Sequence, residues 1–256
     1  MQKDKPLILI TNDDGIAAPG IMALVESVKH LGNIVVLAPD SPQSAMGHAI
    51  TINKPLRVDR SHIFGDIEGY QCSGTPVDCV KLAHDKILPR LPDLVLSGIN
   101  HGSNSSINVI YSGTMSAAVE AAIEGIPSIG FSLLDYSYDA DFEPAKHYIT
   151  RIVEKVIQYK LPKYVTLNVN IPKLNKEEIK GIKICRQARA KWAEDFDERI
   201  DPSGRKYYWL TGKFILLEES HDTDQAALND GYVSVVPIKF DMTDYDALEV
   251  LKNMNL

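Results

Sequence analysis

The stretch that decides the fold is "ILITNDDGIAAPGI", residues 8–21. It continues a short apolar run that begins at Pro6 and stops after Ile10, which is typical of a strand buried on both faces of a parallel sheet. The polar turn "TNDDG" follows, and from Pro19 apolar residues recur at helical spacing until Gly32. The stretch therefore predicts a strand, a polar turn and a helix, which together begin a βαβ unit.

The same alternation continues along the chain. Apolar runs predict strands at 34–38, 93–97, 127–133 and 165–172. Patterns of helical spacing predict helices at 112–124 and 144–159. Strands that alternate with helices predict an α/β fold with a mostly parallel sheet and helices on both of its faces.

The last third of the chain, from about residue 186, has a different composition. The stretch "WAEDFDERIDPSGRKYYWLTG" is charged, aromatic and rich in turn residues, and "GYVSVVPI" further on predicts a late strand. No Gly/Ser-rich or Pro-rich linker separates this part from the rest. We therefore expect one domain over 1–256, with a core at about 1–185 and a C-terminal extension at about 186–256 that makes subunit contacts.

The composition limits the possible functions. Hydrophobic residues make up 45% of the 256 residues, an ordinary globular balance, and the net charge of -7 disfavours a nucleic-acid or membrane partner. The three cysteines form no C-x-x-C pair, which favours a reducing, cytoplasmic location over a disulfide scaffold. The polar first residues predict no signal peptide, and no apolar run reaches the ~18 residues of a membrane helix.

Polar residues collect where three predicted strands end, in "TNDDG", "APDSPQS" and "SGINHGSN". Ligands of open α/β sheets bind beyond the carboxyl ends of the strands, so these segments should converge. Asp13 and Asp14 would repel each other there unless a divalent cation neutralised them, and Ser44 and Asn100 could add neutral oxygen ligands. Taken alone, "NDDG" is also an ordinary polar turn, but three converging strand ends favour the cation site.

A second polar segment, "YSGTMSAA", residues 111–118, covers the start of the helix predicted at 112–124. Free N–H groups at a helix N-terminus bind anions, and a glycine lets the backbone approach the anion closely. Ser112, Gly113 and Thr114 are therefore candidate phosphate-binding residues. Helix capping by Ser112 or Thr114 is the competing interpretation, and a neighbouring metal would favour the phosphate site.

Other motifs carry less information about the chemistry. "CSGTPVDCVKLA", residues 72–83, predicts a helix capped by Thr75, which we interpret as structural support at the wall of the pocket. Histidines in loops are more often surface residues than catalysts, and we apply this interpretation to His48 and His101. No G-x-G-x-x-G, P-loop or G-x-S-x-G sequence occurs, which disfavours the dinucleotide, nucleoside triphosphate and serine hydrolase classes.

The chain resembles the stationary-phase survival protein E (SurE) family of metal-dependent 5'/3'-nucleotidases. The resemblance covers residues 8 to about 238 and rests on the order and combination of eight segments. They are "ILITNDDGIAAPGI", "VVLAPDSPQSAMGHAIT", "CSGTPVDCVKLA", "PDLVLSGINHGSN", "YSGTMSAAVEAAIEGIPSIGFS", "LNVNIP", "DPSGRKYYWLTG" and "DTDQAALNDGYVSVVPI".

The resemblance implies a Rossmann-like three-layer core, an extension used in homodimers or homotetramers, and one divalent ion, Mg²⁺ or Mn²⁺, per subunit. The family's metal ligands correspond to Asp13, Asp14, Ser44 and Asn100, and its phosphate-binding residues to Asn104, Ser112, Gly113 and Thr114. Asp13, Asp14 and Asn104 are the implied catalytic residues. Two positions depart from the family, which often has glycine where this chain has Ala45 and Ser106.

These observations favour a phosphomonoesterase that hydrolyses nucleoside 5'- and 3'-monophosphates by means of a metal-activated water. The resemblance adds activity on short-chain polyphosphate as a possibility. A zinc-dependent deacetylase would need histidine ligands, and none neighbours Asp13 or Asp14 in sequence. A nucleotide-sensing protein without turnover could use the same pocket, but an anion binder gains nothing from two carboxylates without a metal.

Overall fold

The structure is a computed structural model that describes residues 5–137 and 139–254. The first four residues, on which the signal-peptide expectation partly rests, lie outside these ranges. The strands within them are β1 (Leu7–Thr11), β2 (Asn33–Pro39), β3 (Val58–Ser61), β4 (Glu68–Cys72), β5 (Leu94–His101), β6 (Ser128–Leu133), β7 (Thr166–Ile171), β8 (Ile182–Ile184), β9 (Ala190–Ile200), β10 (Lys206–Leu216) and β11 (Val233–Ile238). The α-helices are α1 (Pro19–Val28), α2 (Pro76–Leu82), α3 (Gly113–Ile123), α4 (Glu143–Tyr159), α5 (Asp224–Asn229) and α6 (Tyr245–Lys252).

A nine-stranded sheet forms the centre, in the order β3-β4-β2-β1-β5-β6-β7-β11-β8. Strands β4, β2, β1, β5, β6 and β7 pair in parallel, so their carboxyl ends meet along one edge. The predicted mostly parallel α/β sheet is therefore confirmed. The main difference in length is β5, which continues to His101 rather than ending at Ser97, with an irregularity in its pairing to β6 between Ser97 and Asn100.

Helices cover both faces of the sheet, which gives three layers. Helices α1 and α4 pack on one face, in a core cluster with alternate residues of the central strands such as Ile8 and Ile10. Helices α2 and α3 pack on the other face, with Leu7 and Leu9. A strand with apolar side chains on both faces is what the continuous run at residues 6–10 predicted.

The last third of the chain divides between two sheets. β9 and β10 form a separate antiparallel ribbon of eleven paired positions, from Ala190–Leu216 to Ile200–Lys206. β11 returns to the central sheet, antiparallel to β7 and parallel to β8. The extension thus contributes both an exposed arm and a buried strand. None of the helices formed by the described residues combines the length and the apolar character of a membrane span.

Candidate active site

The loops after β1, β2 and β5 meet at one edge of the sheet, beside the first turn of α3. The Gln43 N–H in the loop after β2 donates to the Asp13 carbonyl oxygen at 2.8 Å. The His101 N–H at the end of β5 donates to Asp14 Oδ2 at 3.4 Å. The Thr114 hydroxyl in α3 donates to Asp13 Oδ1. The convergence that the strand ends predicted is therefore present in the fold.

Asp13 is the most enclosed side chain of this site. It is 5% exposed. Burial raises its pKa from 3.8 to about 6, and the neighbouring charge of Asp14 adds to this, against the lowering effect of the Thr114 hydroxyl and backbone N–H. The N-terminus of α3 therefore points at this carboxylate and partly stabilises its charge.

Asp14 is partly buried, and burial raises its pKa as well, while the His101 N–H lowers it. Within the described residues, neither Asp13 nor Asp14 forms an ion pair with a lysine, arginine or histidine. The pKa of Asp14 is also lowered by the charge of His101. Two adjacent carboxylates in a partly desolvated place, with no lysine or arginine paired to them in the described residues, form an electrostatic arrangement that a divalent cation would stabilise.

Ser44 and Asn100 are the neutral oxygen donors that the sequence predicted. Ser44 is exposed, in the loop that Gln43 attaches to Asp13. The Asn100 amide nitrogen donates to the carbonyl oxygens of His101 and Gly102, at 3.1 and 2.9 Å, which leaves Oδ1 as an available ligand. Carboxylate, hydroxyl and amide oxygens are the donors that Mg²⁺ and Mn²⁺ prefer, so this set fits the predicted ion.

The structure also bears on metal sites that are built from histidine, cysteine or several carboxylate ligands. Over residues 5–137 and 139–254, no group of three or more His, Cys, Asp or Glu side chains is arranged to hold a metal ion. A cation beside Asp13 and Asp14 would therefore depend on neutral oxygens. This composition is of the hard, oxygen-rich kind rather than the zinc kind.

Unpaired polar atoms concentrate at the same edge of the sheet. Five buried side-chain polar atoms have no hydrogen-bond partner within the described residues, and four of them lie on or directly after β1 and β5. These four are Thr11 Oγ1, Asn12 Oδ1, Ser97 Oγ and His101 Nε2. Because buried polar atoms are normally paired, this cluster is typical of a place that water or a ligand completes.

The first turn of α3 combines capping with close packing. Ser112 caps the helix, since its hydroxyl oxygen accepts the Met115 N–H at 3.0 Å. A Cβ added to Gly113 would lie 2.7 Å from Asp13 Cβ and 2.8 Å from Asp13 Oδ2. Only glycine therefore lets the turn lie against the carboxylate. The phosphate contacts of Ser112, Gly113 and Thr114 stay a prediction.

Asn104 belongs to a buried network of amides. Its N–H donates to Asn170 Oδ1 and its side-chain amide to Ser132 Oγ, both at 2.8 Å. Its carbonyl oxygen accepts from Asn168 Nδ2 at 2.8 Å, and Asn170 Nδ2 donates to Asn168 Oδ1 at 2.8 Å. The network fixes the turn after β5 to β6 and β7. The phosphate contact of Asn104 stays a prediction.

The two departures from the family pattern lie at positive backbone angles. Ala45 has φ of 57° and Ser106 has φ of 55°, the left-handed region that favours glycine. Ser106 is buried and its hydroxyl donates to the Ala188 carbonyl oxygen at 2.9 Å, whereas Ala45 is exposed. Ser106 thus gains a contact that glycine would lack.

Asp224 is a supporting residue that sequence reasoning missed. It is fully buried and accepts the Ser106 N–H at 2.7 Å and the Ala188 N–H at 3.0 Å. Burial raises the pKa of its carboxyl, and these N–H groups act in the opposite direction. The segment "DTDQAALNDG" was visible in the sequence, but no pattern in it indicates a partner 118 residues away.

Comparison with known proteins identifies the family of this chain. The family described as Survival protein SurE matches residues 8–194. The chain is 62% identical to 5'-nucleotidase SurE of Christiangramia forsetii, over 100% of this chain and 99% of the relative. It is 61% identical to the protein of that name from Flavobacterium psychrophilum, over 98% of each chain. The crystal structure of the SurE protein from Aquifex aeolicus superposes with a TM-score of 0.84 at 42% identity, covering 98% of this chain and 100% of that one. The chain belongs to the SurE family.

Proposed function

We propose that this protein is a metal-dependent 5'-nucleotidase, which hydrolyses nucleoside monophosphates to nucleoside and inorganic phosphate. The observation that carries the proposal is the Asp13–Asp14 pair against the N-terminus of α3, where burial raises the pKa of both carboxyls. Relatives at 62% and 61% identity are named 5'-nucleotidase SurE. A carboxylate pair beside a helix N-terminus combines a cation site with an anion site, which is what a phosphate ester hydrolase requires.

One Mg²⁺ or Mn²⁺ per subunit is the proposed cofactor, and Asp13, Asp14, Ser44 and Asn100 would hold it. When bound, the ion supplies Lewis-acid stabilisation of the charge on the transferring phosphoryl group and lowers the pKa of a water molecule. The raised pKa of Asp13, about 6, supports this assignment, because a buried carboxylate without a cation is costly.

The side chains around the ion have separate proposed roles. Asp13 and Asp14 orient the attacking water, and one of their carboxylates accepts its proton. The Gly113 N–H and the Asn104 amide would hold phosphate oxygens in place while charge develops on them. Their positions are supported by the rigid contacts around them, since the Asn104 backbone and side chain both bond to neighbouring strands.

Activity on 3'-monophosphates and on short-chain polyphosphate is proposed as a secondary property, because both present a terminal phosphate to the same ion.

The test is release of inorganic phosphate from a panel of nucleoside 5'- and 3'-monophosphates and tripolyphosphate. Each reaction contains Mg²⁺, Mn²⁺, Zn²⁺ or chelator. Release that requires Mg²⁺ or Mn²⁺ and is abolished by chelator supports the proposal, and the panel ranks the substrates. Nucleotide binding without release would favour a sensing protein, and acetate release from acetylated amides with Zn²⁺ would favour a deacetylase.

We also propose that the β9–β10 ribbon joins subunits into a homodimer or homotetramer. The ribbon exposes large apolar side chains, with Phe196 59% and Leu210 62% exposed, and these two pair across its strands. Exposed apolar patches of this kind mark interaction surfaces. The paired substitution Phe196→Glu with Leu210→Glu should lower the mass measured by light scattering, and a wild-type monomer would contradict the proposal.

The cytoplasm is the proposed location. Cys72, Cys79 and Cys185 are all free thiols, and a reducing compartment keeps thiols in this state. Fractionation of cells that produce the tagged protein tests this directly. Recovery from the membrane or periplasmic fraction would contradict it.

A further inference from the structure

The loop after β2 carries a proposed metal ligand but is poorly enclosed. Ser44, Ala45 and Met46 are exposed, and the Ser44 side chain makes no hydrogen bond within the described residues. The loop is attached before Ser44 by the bond from the Gln43 N–H to Asp13. The attachments of the chain beyond Ser44 therefore determine whether its hydroxyl stays near Asp13.

Beyond Ser44, the Gly47 N–H donates to the Tyr111 carbonyl oxygen at 3.3 Å, and the next attachment is made by Glu120. His48 Nε2 and Glu120 Oε2 are 2.7 Å apart, and the other oxygen, Oε1, accepts a hydrogen bond from Lys81 Nζ in α2. The Glu120 side chain is 4% exposed. Burial raises its pKa, but the bonds to His48 and Lys81 outweigh this and leave it below its ordinary value. A buried, ionised carboxylate with two partners is a fixed point rather than a surface ion pair.

The segment "GTPVDC" adds two bonds just beyond His48. The Thr75 hydroxyl donates to the Ala49 carbonyl oxygen at 2.7 Å, and the Thr51 N–H donates to Asp78 Oδ1 at 3.0 Å. Thr75 and Asp78 are themselves locked together as a capping box at the start of α2. The segment that sequence analysis interpreted as structural support therefore holds the far end of this loop.

Helix α3 connects both sides of the proposed metal site. Thr114, in its first turn, bonds to Asp13, and Glu120, six residues later, bonds to His48. One rigid element thus contacts the buried ligand directly and the exposed ligand's loop through a single side chain. Groups that orient metal ligands from outside are as necessary to a site's geometry as the ligands themselves.

We propose that Glu120, acting through His48, is a positioning residue that holds the Ser44 loop at the metal site. This inference rests on the proposed function, because it takes Ser44 as a ligand. His48 and Glu120 touch neither metal nor phosphate in this assignment. Their bond restricts the loop before the ion binds, so Ser44 loses less conformational entropy on binding.

The test measures Mn²⁺ affinity by electron paramagnetic resonance of free Mn²⁺, with kcat measured at saturating Mn²⁺. The substitution His48→Ala removes the bond to Glu120 and should weaken Mn²⁺ binding about tenfold, with kcat changed less than the affinity. The substitution His48→Gln keeps an amide donor for Glu120 and should restore most of the affinity. Rescue by an amide distinguishes positioning from proton transfer, since glutamine cannot act as an acid or base.

The substitution Lys81→Met is the matched control. It removes the other partner of Glu120, lies on α2 and leaves the bond to His48 intact. It should lower Tm but weaken Mn²⁺ binding clearly less than His48→Ala does, because the bond that reaches the Ser44 loop remains, so a general loss of stability is separated from a loss of positioning. Equal weakening of Mn²⁺ binding in Lys81→Met and His48→Ala would overturn the inference.

The remaining outcomes separate this inference from the proposed function. Wild-type protein that binds Mn²⁺ and hydrolyses nucleotides, together with unchanged affinity in His48→Ala, refutes the positioning role alone. Wild-type protein that neither binds Mn²⁺ nor releases phosphate refutes both. If His48→Ala does not fold, Glu120→Gln takes its place, because it keeps the shape of the side chain and removes its charge. Unchanged affinity in that variant also overturns the inference.

Discussion

Asp13 and Ser44, two proposed ligands of one metal ion, are held in opposite ways. Asp13 is 5% exposed, bonded to Thr114 and packed against Gly113. Ser44 is exposed, and its side chain has no hydrogen-bond partner in the described residues. The first ligand is fixed by the core at an electrostatic cost, while the second depends on attachments elsewhere in its loop. We therefore expect substitutions of Asp13 to lower catalytic activity while they raise the stability of the metal-free protein. Substitutions in the exposed loop should have smaller effects.

The largest expected effect is that of Asp13→Asn. The amide keeps the shape but not the charge, so we expect metal-dependent hydrolysis to fall by about a thousandfold or more. The fold should persist, because the Asn side chain can still accept a bond from Thr114. Phosphate release measured beside circular dichroism checks both parts, and near-normal activity in a folded variant would refute the role of Asp13.

In the metal-free protein, the free-energy cost of burying the Asp13 carboxylate should appear as a pH dependence of the unfolding free energy. Folding raises the pKa of Asp13 from 3.8 to about 6, so the folded state binds this proton more tightly. Its contribution therefore favours folding below about pH 4 and is lost as pH rises through about 6. Relative to Asp13→Asn, the wild-type protein in chelator should lose on the order of 3 kcal/mol of unfolding free energy over that interval.

Urea denaturation of both proteins at a series of pH values measures this difference. Addition of Mn²⁺ at neutral pH should restore stability to the wild-type protein far more than to Asp13→Asn, because the ion binds only the folded site. Parallel stability curves for the two proteins across this pH range would contradict the assigned burial cost.

Gly113→Ala tests the contact between Asp13 and the first turn of α3, with the change made in the helix. The new Cβ would lie 2.7 Å from Asp13 Cβ, closer than real side chains approach, so the carboxylate must move. A misplacement of this order costs about a hundredfold in activity, whereas alanine itself is a good helix residue. The substitution Ile123→Ala, at the far and exposed end of the same helix, is the control. Activity of Gly113→Ala within a few fold of wild type would show that the turn tolerates displacement.

The smallest effect is expected on the exposed side, at Ala45. Glycine there relieves a left-handed conformation, which costs about 1 kcal/mol in other residues, but it also makes the unfolded chain more flexible. We expect Ala45→Gly to raise the unfolding free energy by less than about 1 kcal/mol.

Ser106→Gly is its natural counterpart, because Ser106 has nearly the same backbone angle. That substitution loses the bond from the Ser106 hydroxyl to Ala188, worth about 1 kcal/mol, so it should be the less stable of the two. Urea midpoints rank the pair, and the reverse order would show that the hydroxyl contributes nothing.

The parts of the molecule that sequence predicted are those with local causes. Apolar runs indicated the central strands. The Asn, Asp and Gly residues after the first run indicated the turn that carries the acidic pair at the end of β1. Both signals lie within a few residues of the feature they predict. The strands β9 and β10 were not predicted as strands, because the charged and turn-rich composition of this stretch dominated its interpretation. Trp192, Phe196 and Ile200 do share one face of β9, but charged residues separate them. The short edge strand β3 carries a similarly weak signal.

The supporting contacts of the site could not be predicted, because they join distant segments. His48 meets Glu120 across 72 residues, and Thr114 meets Asp13 across 101. Glu120 is one polar residue on a small-residue helix, and nothing near it in sequence indicates burial. Ser112 illustrates a different difficulty, since the same residue pattern predicts both a helix cap and a phosphate site, and only the cap has a partner within the protein itself.

The bond from the Ser106 N–H to Asp224 has a consequence for synthesis on the ribosome. The acidic pair is translated among the first residues, but the turn that contains Ser106 is completed only by a carboxylate 118 residues further on. Strand β7 likewise lacks its antiparallel neighbour until β11 has been synthesised. A nascent chain therefore carries its two closely spaced carboxylates well before the residue that bonds to the turn near them has been synthesised.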